Sequence, residues 1–259
     1  MPRVSIILPV HNGEKTIKRS LSSLATQTYR DFETVLVNNN CTDKTLEIAN
    51  EFKDLANLRI VDCKPKGLVC ALNTGIQKSD SPLIARQDDD DYWYPSKLEK
   101  QVKYLDDNPE VGVVGTQIRL LDESGNIEDI GTYGRQVTYP TNDNDIKKMM
   151  LIGQNPLCHP SVVIRRDAIL HVGGYCDHFH LAEDLDLWIR MMPWTKFGNL
   201  NEVLVDYTQT IRTDYNPEVP LLIADIYYNL YKRFGIVQGE RPKLMYQWQL
   251  DKMNENKNV

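Results

Sequence analysis

The chain has no C-x-x-C pair, and its five cysteines, Cys41, Cys63, Cys70, Cys158 and Cys176, form an odd set at irregular spacing. That argues against a disulfide framework and a zinc ribbon, and makes a reducing cytoplasm the simpler setting. No basic leader with a cleavage site precedes the first apolar run, so no signal peptide is expected. No stretch approaches the roughly 20 apolar residues that span a bilayer; no transmembrane segment is expected, and membrane association is left only a peripheral form. Basic charge is also short, with 30 Lys and Arg against 36 Asp and Glu. A net charge of -6 provides no general basic surface for a phosphate backbone, so nucleic acid is not an expected partner. Internal repeats and low-complexity tracts are absent as well.

What is present suits one large α/β domain, or a domain with a small appendage: 259 residues, 41% hydrophobic and 25% charged, can bury a core. Apolar, β-rich runs at residues 4–10, 32–38, 58–62 and 83–87 are each followed by a segment with Leu or Ile at helical spacing. Right-handed crossovers would bring the C-terminal ends of these strands to one edge, where open α/β sheets bind ligands. His11 and Asn12, then Asn38, Asn39 and Asn40, then Asp88, Asp89, Asp90 and Asp91 fall where three of those strands stop. Pro95 is expected at a first helical position, with Leu98, Val102 and Leu105 as the apolar stripe and Asn108-Pro109 as the stop. A further strand is expected over 111–121, extending the sheet, then a turn at 122–125 and a polar stretch to Asp145. Val219, Leu222, Ile223, Ile226, Tyr227, Leu230 and Phe234 recur at helical spacing, and the chain after Gly235 is polar.

Four consecutive carboxylates after an apolar strand repel one another unless a cation or solvent compensates. Mg²⁺ or Mn²⁺ takes oxygen ligands, commonly one or two carboxylates completed by a substrate's phosphates. The bland alternative is an acidic turn capping the next helix. A second acidic group, Glu183, Asp184 and Asp186, lies in a segment whose Leu181, Leu185 and Trp188 share one helical face, so the three acids cannot all share it. One of them at the mouth of that helix could act as a general base; an ordinary amphipathic helix with acids in its first turn is the alternative. Cys176, His178 and His180 are one ligand too few for zinc.

Taken in order, the segment from Val4 to Gly13 (VSIILPVHNG), Gln27-Thr28, the acidic tract, the segment from Asn155 to Ser161 (NPLCHPS), Gly173-Gly174-Tyr175 and Glu183-Asp184 resemble the family 2 glycosyltransferases, inverting enzymes with a GT-A fold. The resemblance runs from Val4 to about Thr210. It implies an α/β, Rossmann-like nucleotide-diphospho-sugar transferase fold with a mostly parallel central sheet flanked by helices. The implied domain covers residues 1–210, with a nucleotide-binding half to about 110, an acceptor-binding half beyond it, and a C-terminal helical extension over 211–259. The implied activity is metal-assisted transfer of a sugar from a nucleotide diphosphate to a hydroxyl of a glycan or other acceptor, with Mn²⁺ or Mg²⁺ as cofactor.

By that resemblance Asp88-Asp89-Asp90 is the D-x-D motif, with Asp90 facing the metal and Asp88 nearer the ribose and diphosphate, and Asp91 a supporting neighbour. Asp184 matches the catalytic base and Glu183 orients the site or the acceptor. Pro9, His11, Asn12 and Glu14 form the nucleotide loop, His11 where the family often stacks an aromatic on the base. Arg86 could pair with Asp88. Residues 37–43 depart from the family's D-D-G-S-x-D, two acids having become amides. Asn39 can still accept a uracil N–H through its carbonyl, but its amide also donates, so a UDP-sugar is the favoured rather than the sole donor. A sugar-phosphate nucleotidyltransferase is the rival enzyme, although residues 9–15 hold one glycine where such enzymes carry a glycine-rich loop. A catalytically inactive glycan-binding scaffold is the rival from another class.

Overall fold

The computed structural model describes residues 1–122 and 134–209, with residues 219, 222, 223, 225 and 226 beyond them. Four apolar runs form strands close to the expected limits: β1 (Val4–Val10), β2 (Phe32–Asn38), β3 (Leu58–Asp62) and β4 (Leu83–Arg86). They are parallel and ordered β3-β2-β1-β4, so their C-terminal ends share one edge. Pro9 is accommodated in β1 because pairing with β4 ends at Ile7 opposite Arg86, leaving that side free where Pro has no N–H to offer.

The crossovers are α1 (Ile17–Ala25), α2 (Thr45–Asn50) and α3 (Leu68–Gln77), followed after β4 by the two-residue β5 (Tyr92–Trp93) and then α4 (Lys97–Asp107). Helix α4 starts two residues after Pro95, not at it. The Pro95 carbonyl accepts from Thr28 N–H at 2.9 Å and the Tyr94 carbonyl from Lys97 N–H at 3.0 Å, so a tight turn occupies the expected first helical position.

The second half extends the same sheet through β6 (Val111–Leu121), β7 (Gln136–Val137), β8 (Val163–Arg165) and β9 (Lys196–Thr208), with α5 (Asp143–Leu151), α6 (Arg166–His171) and α7 (Glu183–Met191) between them. The nine strands follow the order β3-β2-β1-β4-β8-β6-β9-β5, with β7 paired to β6. β8 is antiparallel to both β4 and β6, which restores β6 and its parallel partner β9 to the direction of the first four strands. The sheet is therefore mostly parallel, with β5, β7 and β8 running against the rest.

Side chains alternate across each strand, so one apolar run supplies two cores. Ile6 and Leu8 of β1 pack with α1 and α4, while Ile7 faces Val37, α3 and α7. Leu222 and Ile223 pack against the second core and Ile226 is buried in it, the start of the C-terminal stripe. Tyr227, Leu230, Phe234, the tail after Gly235 and the turn at 123–125 lie outside the described residues. Among the described residues no helix is long and apolar enough to cross a membrane.

Gly75 lets α3 approach the sheet. A Cβ there would lie 2.5 Å from Ile7 Cγ2 and 3.1 Å from Val37 Cγ2, both buried. Overpacking of this kind costs about 1–3 kcal/mol, and better helix propensity returns at most about 1 kcal/mol. Gly75→Ala is expected to lower the thermal midpoint; a midpoint equal to the parent's would contradict this packing.

Candidate active site

The acidic loop begins where β4 ends, and its main chain is held from three directions. Ser20 Oγ on α1 donates to the Asp88 carbonyl at 2.8 Å, and Arg19 donates to the Asp90 carbonyl and to Thr208 Oγ1. At the end of β9, Thr208 N–H donates to Asp91 Oδ1 at 2.7 Å and its hydroxyl to the Asp90 carbonyl. Buried Gln87 bridges Ser20 Oγ and the Asp91 carbonyl. Most of the donors around the loop thus go to its peptide carbonyls, while Asp88 is paired with Arg86 and Asp91 Oδ1 is held by Thr208.

One oxygen from each of Asp88, Asp90 and Asp91 lies within 4.8 Å of the others, the arrangement a divalent cation needs. Arg86 pairs with Asp88 and is the nearest counter-charge. Burial, followed by the charge of Asp88, pushes Asp89 up to about 6 and Asp90 up to about 7. Asp91 is raised by the same two causes in the same order, and its Oδ2 is buried without a hydrogen-bond partner. Oxygen donors, close spacing, negative charge in excess of the one paired arginine and an orphaned acceptor all fit Mg²⁺ or Mn²⁺. Asp89 turns away from the trio, accepting from Thr16 Oγ1 at 3.3 Å and packing where a Cβ on Gly13 would clash.

A cleft of about 530 Å³ separates this loop from the start of α7, with Asp88, Asp89 and Asp90 on one wall and Asn155, Glu183 and Asp184 on another. Asp184 Oδ1 accepts from Leu185 N–H at 2.7 Å and Oδ2 from Asn155 Nδ2 at 2.6 Å. Burial raises the Asp184 pKa, and these two bonds oppose the rise. Burial and then the Asp184 charge push Glu183 up to about 7. His159 lies in the wall between the two acidic groups, its Nε2 2.7 Å from Tyr175 Oη and its Nδ1 3.8 Å from Glu183. Burial, then the charge of Arg86, keeps this imidazole neutral. The acids of α7 separate as expected: Asp186 faces away, held by Arg190, while buried Leu185 and Trp188 join the core.

The loops after β1 and β2 are tied to each other. His11 Nδ1 lies 2.8 Å from the Asn39 carbonyl, which accepts its hydrogen, and the ring is exposed. Asn12, at φ 58°, accepts Thr42 N–H on its side-chain oxygen, and the Glu14 carboxylate accepts Lys44 N–H. Pro9 is buried within β1 and lies off the cleft wall. The Asn39 amide is tied to the chain while its oxygen keeps a second lone pair. Its Oδ1 accepts Gly67 N–H at 2.9 Å and its Nδ2 donates to the Pro65 carbonyl at 2.8 Å, so the side chain braces the β3–α3 loop.

Asp88, Asp90, Asp184 and Arg86, all singled out in the sequence, line one cleft, whereas Arg19, Thr208, and Asn155 as the partner of Asp184, were not foreseen. Thr208 acts through its register at the end of a long strand, and Asn155 through a contact across 29 residues. Neither leaves a local signal.

The sequence profile described as glycosyl transferase family 2 matches residues 5–173. The chain is 35% identical over 211 residues to the O-antigen biosynthesis glycosyltransferase WbnJ of Escherichia coli, covering 79% of this chain and 78% of that protein. It is 33% identical over 206 residues to the amylovoran biosynthesis glycosyltransferase AmsE of Erwinia amylovora, covering 78% and 74%. Among solved structures, S. aureus TarS 1–349 in complex with UDP-GlcNAc superposes with a TM-score of 0.69 at 17% identity, over 96% of this chain and 79% of that one. Mannosyltransferase PcManGT from Pyrobaculum calidifontis in complex with GDP-Man and Mn²⁺ gives 0.62 at 18% identity, over 92% and 65%. At those identities the two structures speak to the fold alone.

Proposed function

The chain belongs to glycosyl transferase family 2 and has the GT-A fold, and from that premise we propose that it transfers a sugar, with inversion, from a nucleotide diphosphate to a hydroxyl of a glycan or other acceptor. One observation carries the proposal: Asp88 and Asp90, of a cation-competent trio completed by buried Asp91, line the same cleft as the paired acids Glu183 and Asp184.

Asp90 and Asp88 would hold Mn²⁺ or Mg²⁺, with Asp91 in support; when bound, the ion supplies charge neutralisation for the departing diphosphate. Arg86 Nε, a buried donor without a partner, suits a diphosphate oxygen from the side of β4. The exposed His11 ring, fixed through Nδ1, is available to stack on the nucleobase. Asp184 accepts the proton of the acceptor hydroxyl as that oxygen attacks the anomeric carbon from the face opposite the leaving group. Glu183, raised to about 7, is the neighbour that orients the acceptor. Residues 1–110 then serve the nucleotide, and 111–210 the acceptor. The reading also assigns the protein to polysaccharide biosynthesis on the cytoplasmic side.

UDP-sugar remains the favoured donor. TarS was solved with UDP-GlcNAc and PcManGT with GDP-Man, so the fold serves more than one base. Asn39 Oδ1, which accepts Gly67 N–H, keeps a second lone pair for a base N–H, while its Nδ2 is engaged by the Pro65 carbonyl. Titration calorimetry with UDP, GDP and CDP, with and without Mn²⁺, tests this. UDP is expected to bind tightest and only with the metal; tight GDP binding without measurable UDP binding would overturn the choice.

A further inference from the structure

Asn155 stands 29 residues before Asp184 and has no charge to offer, yet it makes the shortest polar contact of that acid. Its amide orientation is set internally. Leu157 N–H donates to Asn155 Oδ1 at 3.3 Å, so the oxygen faces the main chain and the NH₂ group faces Asp184. An ionised carboxylate has only acceptors, and here each of its oxygens meets one donor, Asn155 on one side and Leu185 N–H on the other. The pair of bonds fixes the plane of the carboxylate and leaves a free lone pair on each oxygen.

We propose that Asn155 is the positioning residue of the transfer, clamping Asp184 Oδ2 so that the carboxylate stays ionised and aimed into the cleft. The inference rests on reading Asp184 as the base. A hydrogen bond donated to a carboxylate favours its charged form, and bonds to charged groups are the strong class. This opposes the burial that favours the protonated form. The other groups facing Asp184 cannot take over the task. Glu183, beside it on α7, carries like charge, and Tyr139, Cys158 and Tyr175 are groups that burial keeps neutral. Arg86 favours the ionised form but is paired with Asp88 across the cleft.

The base must be unprotonated, so turnover rises with pH as Asp184 ionises. Loss of the Asn155 donor makes ionisation harder, and the rising limb moves to higher pH while the plateau is kept. Asn155→Leu preserves size and removes the donor; Asn155→Asp replaces it with a like charge and should move the limb further. At pH values below the parent's midpoint, turnover of Asn155→Leu is expected to fall about tenfold, recovering towards the parent above it. Turnover is followed as nucleoside diphosphate release from whichever nucleotide sugar of a panel binds tightest. UDP affinity with Mn²⁺, expected to be unchanged, reports that the cleft is intact.

A second measurement does not need activity. In protein labelled with carbon-13 at the aspartate carboxyls, the Asp184 resonance, identified by its loss in Asp184→Asn, should titrate at higher pH in Asn155→Leu than in the parent. Coincident titration curves in the two proteins overturn the proposal. If the resonance moves but the turnover profile does not, or if Asp184→Asn retains turnover, the reading of Asp184 as base fails instead.

Discussion

Asp184→Asn is expected to cut transfer by about 100- to 10,000-fold, the range lost when a general base is removed, while UDP binding in the presence of Mn²⁺ stays within about twofold of the parent, since each 1.4 kcal/mol is tenfold and no donor contact is removed. The separation follows from the site's construction. Asp184 stands at the start of α7, and it is part of neither the Arg86–Asp88 pair nor the trio. The substitution places an NH₂ group where one of two donors now points, either Asn155 Nδ2 or Leu185 N–H. Some local adjustment follows, and the binding measurement shows whether it spreads. Equal turnover in variant and parent would reject Asp184 as the base. Loss of UDP binding together with turnover would show that the two walls are not independent.

Asp90→Ala is expected to weaken Mn²⁺-dependent UDP binding by roughly 100-fold or more, at least the loss seen when even an outer partner of a metal ligand is removed. It should do so without harming the fold. Arg19 and Thr208 grip Asp90 through its carbonyl, which alanine retains. Its carboxyl group is a source of repulsion in the folded protein, pushed up to about 7 by burial and then by Asp88 and Asp89. A folded-state pKa above the unfolded value means that this acid contributes less stability as pH rises, the deficit being complete above about 7. At pH 8, without metal, Asp90→Ala should therefore melt at or above the parent's temperature. A lower melting temperature with unchanged Mn²⁺-dependent binding would show that Asp90 is structural and that the metal is held elsewhere.

The strand limits were legible because burial on both faces demands continuous apolar runs: VSIILPV and FETVLVN can hardly be anything else. The acidic tract was legible for the opposite reason, since so much charge at the end of such a strand needs a purpose. The antiparallel insertion was not. β8 has three residues and β5 two, too short for any period, and β9 breaks alternation with register shifts and the polar stretch around Asn201 and Glu202. Pro95 misled by two residues because its carbonyl is claimed by Thr28, a contact that crosses 67 positions. The contacts of Asn39 with residues 65 and 67 were not legible either, since they join the end of one strand to the loop after another.

The grip on the acidic loop also bears on when the site comes into being. Arg19 and Thr208 meet across 189 residues of chain to hold one carbonyl. A polypeptide emerging from the ribosome carries all four consecutive aspartates by residue 91, but the strand that fixes them arrives more than a hundred residues later. A chain cut short before β9 would contain all four aspartates but lack the Thr208 contacts to Asp90 and Asp91.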